Sequence, residues 1–133
     1  MFAGFAAEAR AETYYEVSQG LLRNLPGDAR LRGDLEAVIF AETNSYRGSK
    51  GIGALKASDQ LRDAARAHAI DMMLNGFVGH KATTGQEFDS RMRAFIGNPL
   101  MMPRMAENAA RDTQKGAADA GKAAATRRGA HRP

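Results

Sequence analysis

Apolar positions recur at helical spacing in four stretches of the chain and then stop. Tyr14, Val17, Leu21 and Leu25 share one face of a helix predicted over Glu12 to Asn24, and Pro26-Gly27-Asp28 ends it with turn chemistry. Between about Gly33 and Leu74 two further patterns follow. Leu35, Val38, Ile39, Glu42 and Tyr46 lie on one face of the first, with Gly48 where a helix end favours positive φ. Leu61, Ala65, His68, Ala69, Met72 and Met73 mark the stripe of the second; Ser58 is its predicted N-cap, Asp59 suits its dipole and Gly76 its stop. The glycine-rich Gly51-Ile52-Gly53-Ala54-Leu55 joins them and reads as a short extended segment. A fourth helix is predicted to open on a capping box, Thr84-Gly85-Gln86-Glu87, turn Phe88, Met92 and Phe95 inward, and stop at Gly97-Asn98-Pro99. After Asp112 no large apolar residue remains, so nothing there offsets the ordering cost of roughly 1 to 2 kcal/mol per residue, and disorder is expected.

Charge divides at the same place. The chain of 133 residues carries 19 Lys and Arg against 15 Asp and Glu, a net charge of +4. From Thr113 onward stand Lys115, Lys122, Arg127, Arg128 and Arg132 against Asp119, so the tail holds the whole excess and the rest is neutral. The basic balance therefore does not describe a folded nucleic-acid surface, and a tail without aromatic residues offers no base stacking. With no cysteine, disulfides, thiolate nucleophiles and Cys-ligated zinc are excluded. No apolar run approaches the roughly 18 to 20 residues of a membrane-spanning helix. The length suits one modest domain, which rules out a multidomain enzyme.

The first residues, Met1-Phe2-Ala3-Gly4-Phe5-Ala6-Ala7, followed by Ala7-Glu8-Ala9 and Ala9-Arg10-Ala11, read either as the end of a secretory signal lacking its basic start or as an Ala-rich helix. Three segments result: 1–28, helical with a signal-like start; 29–112, a domain; and 113–133, a basic low-complexity tail.

Polar residues look placed in Phe77 to Asp112. His80 follows Phe77-Val78-Gly79, and Glu107 stands in the apolar setting of Met105, Ala106, Ala109 and Ala110. A loop histidine can simply bond backbone, and most glutamates lie at the surface. Set beside each other, however, a carboxylate holds a histidine in one tautomer, ready to bind a metal or move a proton. His68 reads as a core histidine, Asn108 as a partner for nearby backbone groups, and Thr84 and Glu87 as capping residues. Met72, Met73, Met92, Met101, Met102 and Met105 read as adaptable core filler, although a lipid-binding cleft would use the same residues.

Asn44-Ser45-Tyr46-Arg47, then Gly51-Ile52-Gly53-Ala54-Leu55 with Ser58-Asp59-Gln60-Leu61, then Ala64 to Met72, resemble the opening of the CAP domain of cysteine-rich secretory, antigen 5 and pathogenesis-related proteins. The bacterial pattern of that superfamily continues in Phe77-Val78-Gly79-His80, in Gly85-Gln86-Glu87-Phe88-Asp89-Ser90-Arg91 and in Ala106-Glu107-Asn108. The resemblance runs from about Leu35 to Arg111. It implies that His80 and Glu107 line the cleft in which the fuller family pattern holds two histidines and two glutamates. The later Trp, the Ser-Pro-x-His segment and the sheet strands have no counterpart after Asp112; His131 is the only later histidine. A frameshift or truncated reading frame would produce such a switch.

The expected fold is therefore mainly α, the N-terminal half of a CAP-type α-β-α sandwich with at most a strand or two and a disordered C-terminal tail. The expected function, by resemblance, is a secreted, extracellular or periplasmic, non-enzymatic binding module for a lipid or small hydrophobic ligand, a protein or a cell-envelope component, and a monomer. No cofactor is expected. Intact relatives admit a divalent metal, for which His80 is the candidate ligand here, but a lone His and Glu fall short of the three protein ligands of a catalytic zinc. Two rivals remain: a hydrolase or peptidase with His80 and Glu107 as its catalytic pair, and nucleic-acid binding through the tail.

Overall fold

The structure, a computed structural model, describes residues 12–97 and 104–111, which form four helices and, among the described residues, no strand. The signal-like start before residue 12, the basic tail, Asn98-Pro99, Met101 and Met102 lie outside the described residues.

Helix α1, Tyr14–Arg23, opens on a capping box that the sequence reading did not single out: Thr13 Oγ1 accepts from the Glu16 amide at 3.2 Å, and Glu16 Oε2 accepts from the Thr13 amide at 2.8 Å. Helix α2 spans Gly33–Ser49, one residue beyond the glycine expected to close it. The closing glycine is instead Gly51, at φ 68°: Ile52 donates its amide to the Arg47 carbonyl at 2.9 Å and Gly51 donates to Gly48 at 3.0 Å. That closure needs its left-handed residue two positions past the last helical turn, which Gly51 meets and Gly48 does not. Helix α3, Asp59–Asn75, begins as predicted, with Ser58 Oγ accepting from the Leu61 amide, and ends as predicted on left-handed Gly76.

Helix α4, Phe88–Ile96, starts later than the predicted capping box requires. Gly85 sits at φ 99° in a turn closed by Gly85 to Ala82 and Ala82 to Gln86 backbone bonds, so no helix can run through it. The Thr84 hydroxyl therefore bonds Gln86, and Glu87, at the N-cap, makes no capping bond but pairs with Lys81 at 3.3 Å.

Helices α1, α3 and α4 pack on one another around Ala64, Ala67, Met92 and Phe95, with Tyr14, Leu61, Phe88, Ile96 and Met105 against this cluster. Met92 and Phe95 point inward as expected. The predicted stripe of α3 needs correction: Ala64, Ala67, His68 and Ile70 are buried, whereas Ala65, Ala69 and Met73 are exposed. Alanines lie on every side of this helix, so periodicity alone does not select a face; packing against α1 and α4 does. On α1 the inward positions are Tyr14 and Ser18, with Val17 turned out.

Helix α2 stands outside this core and buries none of its residues. It is fastened by polar contacts: Arg66 of α3 holds Glu36 through two bonds of 2.7 and 2.8 Å, Asn44 both donates to and accepts from the Leu55 backbone, and Arg47 Nε donates to the Gly53 carbonyl at 2.8 Å. The last two contacts make the Gly51 to Leu55 segment an ordered extension of α2.

Candidate functional site around His80, Arg91 and Glu107

The loop between α3 and α4 is pinned by side chains of both. His68, buried on α3, places Nε2 at 2.7 Å from the Gly79 carbonyl. A carbonyl only accepts, so Nε2 carries the proton and His68 is a structural residue, as its place on the apolar stripe suggested. One turn further along α3, the Asp71 carboxylate accepts from the Thr83 amide at 2.9 Å and from the Thr83 hydroxyl at 2.5 Å. From α4, Arg91 Nη2 donates to the His80 carbonyl at 2.8 Å. The backbone around His80 is thus held at Gly79, at His80 itself and at Thr83.

Glu107 reaches the same place from the segment 104–111, anchored by Met105 against the core. Its Oε1 accepts from His80 Nδ1 at 2.9 Å, and both of its oxygens accept from Arg91 Nη2, at 2.6 and 2.9 Å. The side-chain exposures grade across the group: Arg91 0%, Glu107 13%, His80 59%. Arg91 is therefore the buried end and His80 the presented end. With a carboxylate on Nδ1, the ring is held in the tautomer that leaves Nε2 facing outward.

A buried guanidinium is tolerated only when paired, and Glu107 supplies that pairing here. The Phe88 ring adds a face 5.7 Å from the Arg91 guanidinium carbon. The sequence reading brought forward His80 and Glu107, which the structure brings into contact; it gave no role to Arg91, although Arg91 ends the Gly85 to Arg91 motif. The available signal was its spacing, one helical turn after Phe88, which puts both on one face of α4.

Residues 40–131 match the family model of the cysteine-rich secretory protein family, CAP. The chain belongs to this family. The match covers more than half of the sequence and continues past Arg111, where the recognisable motifs end. No curated protein and no solved structure matches the chain. Helix α1 lies wholly before the matched region, yet it contributes Tyr14 and Ser18 to the same core as α3 and α4.

Among the described residues no three His, Asp or Glu side chains come together to hold an ion, and the carboxylate beside His80 is already committed to Arg91. An open groove of about 540 Å3 lined by Glu12, Tyr15, Glu16, Gln19 and Arg23 includes neither His80 nor Glu107. No helix among the described residues is long and apolar enough to cross a membrane.

Proposed function

We propose that this CAP-domain chain is a secreted binding module, extracellular or periplasmic, in which the outward Nε2 of His80 is the polar anchor for a lipid or other amphipathic ligand. The observation that carries this reading is the graded triplet itself: a wholly buried Arg91 fixes Glu107, and Glu107 fixes a largely exposed imidazole. A ring held in one tautomer by a fixed acceptor presents a directional contact with little orientational entropy to lose on binding. Val78, two residues before His80, is half exposed, as are Met73 and Leu74 at the end of α3; these supply apolar surface for the rest of such a ligand. Dodecan-1-ol is the probe, because its hydroxyl can donate to the Nε2 lone pair that this tautomer leaves. Titrated into the full chain, it is expected to shift the His80 ring and Val78 methyl resonances saturably, with the Val78 shift lost in His80→Ala; unchanged resonances would refute the reading.

The hydrolase reading has one observation in its favour, the 2.9 Å contact of His80 with Glu107, which is within the reach a proton relay needs. Hydrolysis of p-nitrophenyl acetate distinguishes the two. A binding module gives equal rates for the native chain and His80→Ala, whereas a general base loses on the order of 10²-fold or more when removed.

A further inference from the structure

The segment after α2 is held in place with its apolar side chains outside. Ile52 donates its amide to the Arg47 carbonyl at 2.9 Å, and the Gly53 carbonyl accepts from Arg47 Nε at 2.8 Å. Leu55 donates its amide to Asn44 Oδ1 at 2.7 Å, and its carbonyl accepts from Asn44 Nδ2 at 3.1 Å. Gly51 makes the preceding turn at φ 68°, a conformation that favours glycine. These bonds fix the backbone and cover no side chain: Ile52 is 45% and Leu55 43% exposed, and every residue from Gly48 to Ala57 lies at the surface. Both aliphatic side chains are thus preorganised for something outside the chain, with little ordering left to lose on contact.

Charge indicates what that is. From Thr43 to Ser58 stand Arg47, Lys50 and Lys56 and no acidic residue. None of the three forms an ion pair among the described residues, whereas the arginines of α3 and α4, Arg62, Arg66, Arg91 and Arg93, are each matched by a carboxylate. Lys50 and Lys56, both exposed, bracket Ile52 and Leu55 in the sequence. The exposed apolar residues of α2 itself, Val38, Ile39 and Phe40, have the opposite setting, within a turn of Asp34, Glu36 and Glu42. Unpaired cations interleaved with exposed aliphatic side chains complement an anionic bilayer, whose headgroups take the charges while the aliphatic groups enter the acyl boundary. A single-stranded nucleic acid would call for stacking rings, which Ile52 and Leu55 do not offer. We propose that the loop from Lys50 to Lys56 is a docking surface for an anionic lipid bilayer, with Ile52 and Leu55 entering the interface, Lys50 and Lys56 meeting the headgroups and the charge of Arg47 behind them. This surface shares no residue with the His80 site and stands or falls independently of it.

The test is sedimentation of the full chain with vesicles of equal parts phosphatidylserine and phosphatidylcholine, and with phosphatidylcholine alone. The basic tail attracts anionic lipid as well, so the comparison is made among variants that all retain it. Ile52→Ser combined with Leu55→Ser is expected to weaken binding to the mixed vesicles about tenfold or more, and Lys50→Ala and Lys56→Ala about fivefold each. Val38→Ser is expected to bind like the native chain, and phosphatidylcholine alone to bind far less. In bicelles of the mixed lipids, a paramagnetic headgroup is expected to broaden the native amide resonances of Ile52 to Leu55 ahead of those of α3 and α4, a readout that needs no variant to fold. Binding that depends on the lysines but not on Ile52 and Leu55 would mark a charge-only site for any polyanion and overturn the proposal. So would equal broadening along the chain, or no binding to the mixed vesicles.

Discussion

Arg91 places one nitrogen, Nη2, within 2.6 and 2.9 Å of the two oxygens of Glu107, and does so with none of its side chain exposed. A pair of this kind is worth less than its geometry suggests, because both ions have been taken out of water. Its disruption is nonetheless costly, because the survivor remains buried and charged.

That asymmetry gives the first prediction. Glu107→Ala is expected to destabilise the chain by about 3 to 5 kcal/mol, a large part of the roughly 5 to 15 kcal/mol typical of a domain. Arg91→Leu is expected to cost less than Glu107→Ala, since Glu107 borders solvent and can rehydrate. The double variant, Arg91→Leu with Glu107→Leu, should be more stable than Glu107→Ala, because no unpaired charge is left inside. Urea denaturation of the native chain and the three variants measures this; a Glu107→Ala midpoint equal to the native one would contradict the buried pairing.

The loop that carries His80 depends on a second acidic residue. Asp71 accepts both polar hydrogens of Thr83, so Asp71→Ala leaves the Thr83 amide without its acceptor. The cost is about 1 to 3 kcal/mol, as for loss of hydrogen bonds to a charged group. Its local sign is faster amide exchange at Thr83, with little change at α1. Thr83→Val, which retains the amide bond and loses only the hydroxyl, is expected to fall between the native chain and Asp71→Ala.

These contacts show how far the sequence could be read. Helix positions followed from apolar spacing and stop residues, and Ser58 and Gly76 were identifiable because a cap is a local event between near neighbours. The buried face of α3 was not, since Ala64, Ala65, Ala67 and Ala69 look alike until a neighbour chooses among them. Gly48 and Gly51 are equally permissive residues, and the Arg47 to Ile52 bond that distinguishes them is visible only in three dimensions. The Thr84 to Glu87 pattern fitted a capping box, but the left-handed turn at Gly85 excluded it. In the site, His80 and Glu107 stood out through the family motifs. Arg91 did not, because arginine is normally a surface residue and nothing in the sequence around it announces complete burial.

Alkali should act on α1 before the rest of the core. Burial raises the pKa of the Tyr14 phenol above its ordinary 10.0. The folded chain therefore holds its proton more tightly than the unfolded one, and the associated stability is fully present below pH 10 and is lost as pH rises toward the folded value. Tyr14→Phe removes the group that titrates and is expected to flatten the decline in stability above about pH 10 relative to the native chain. Thermal melts across that range, with Tyr15→Phe as the comparison, provide the measurement; identical slopes for native and Tyr14→Phe chains would contradict the burial of the phenol.

At the other end of the pH scale the informative group is Asp34, in the first turn of α2. Its carboxylate accepts from Arg32 Nε and Nη2 at 3.0 and 2.8 Å, and these bonds hold its pKa down at about 2, against an ordinary 3.8. A lowered carboxyl pKa means that the unfolded chain binds the proton first. The contribution is thus present above about pH 4 and lost as pH falls toward about 2. Since both partners are exposed, the effect on stability is small and screened by salt. The direct observable is the titration of the Asp34 side-chain carboxyl by NMR. Arg32→Ala is expected to move its midpoint up toward 3.8, and about 1 M salt to move it in the same direction by less, because salt weakens the charge attraction and leaves the two hydrogen bonds in place. A midpoint indifferent to Arg32 would assign the lowering to the backbone amides at the start of α2 instead.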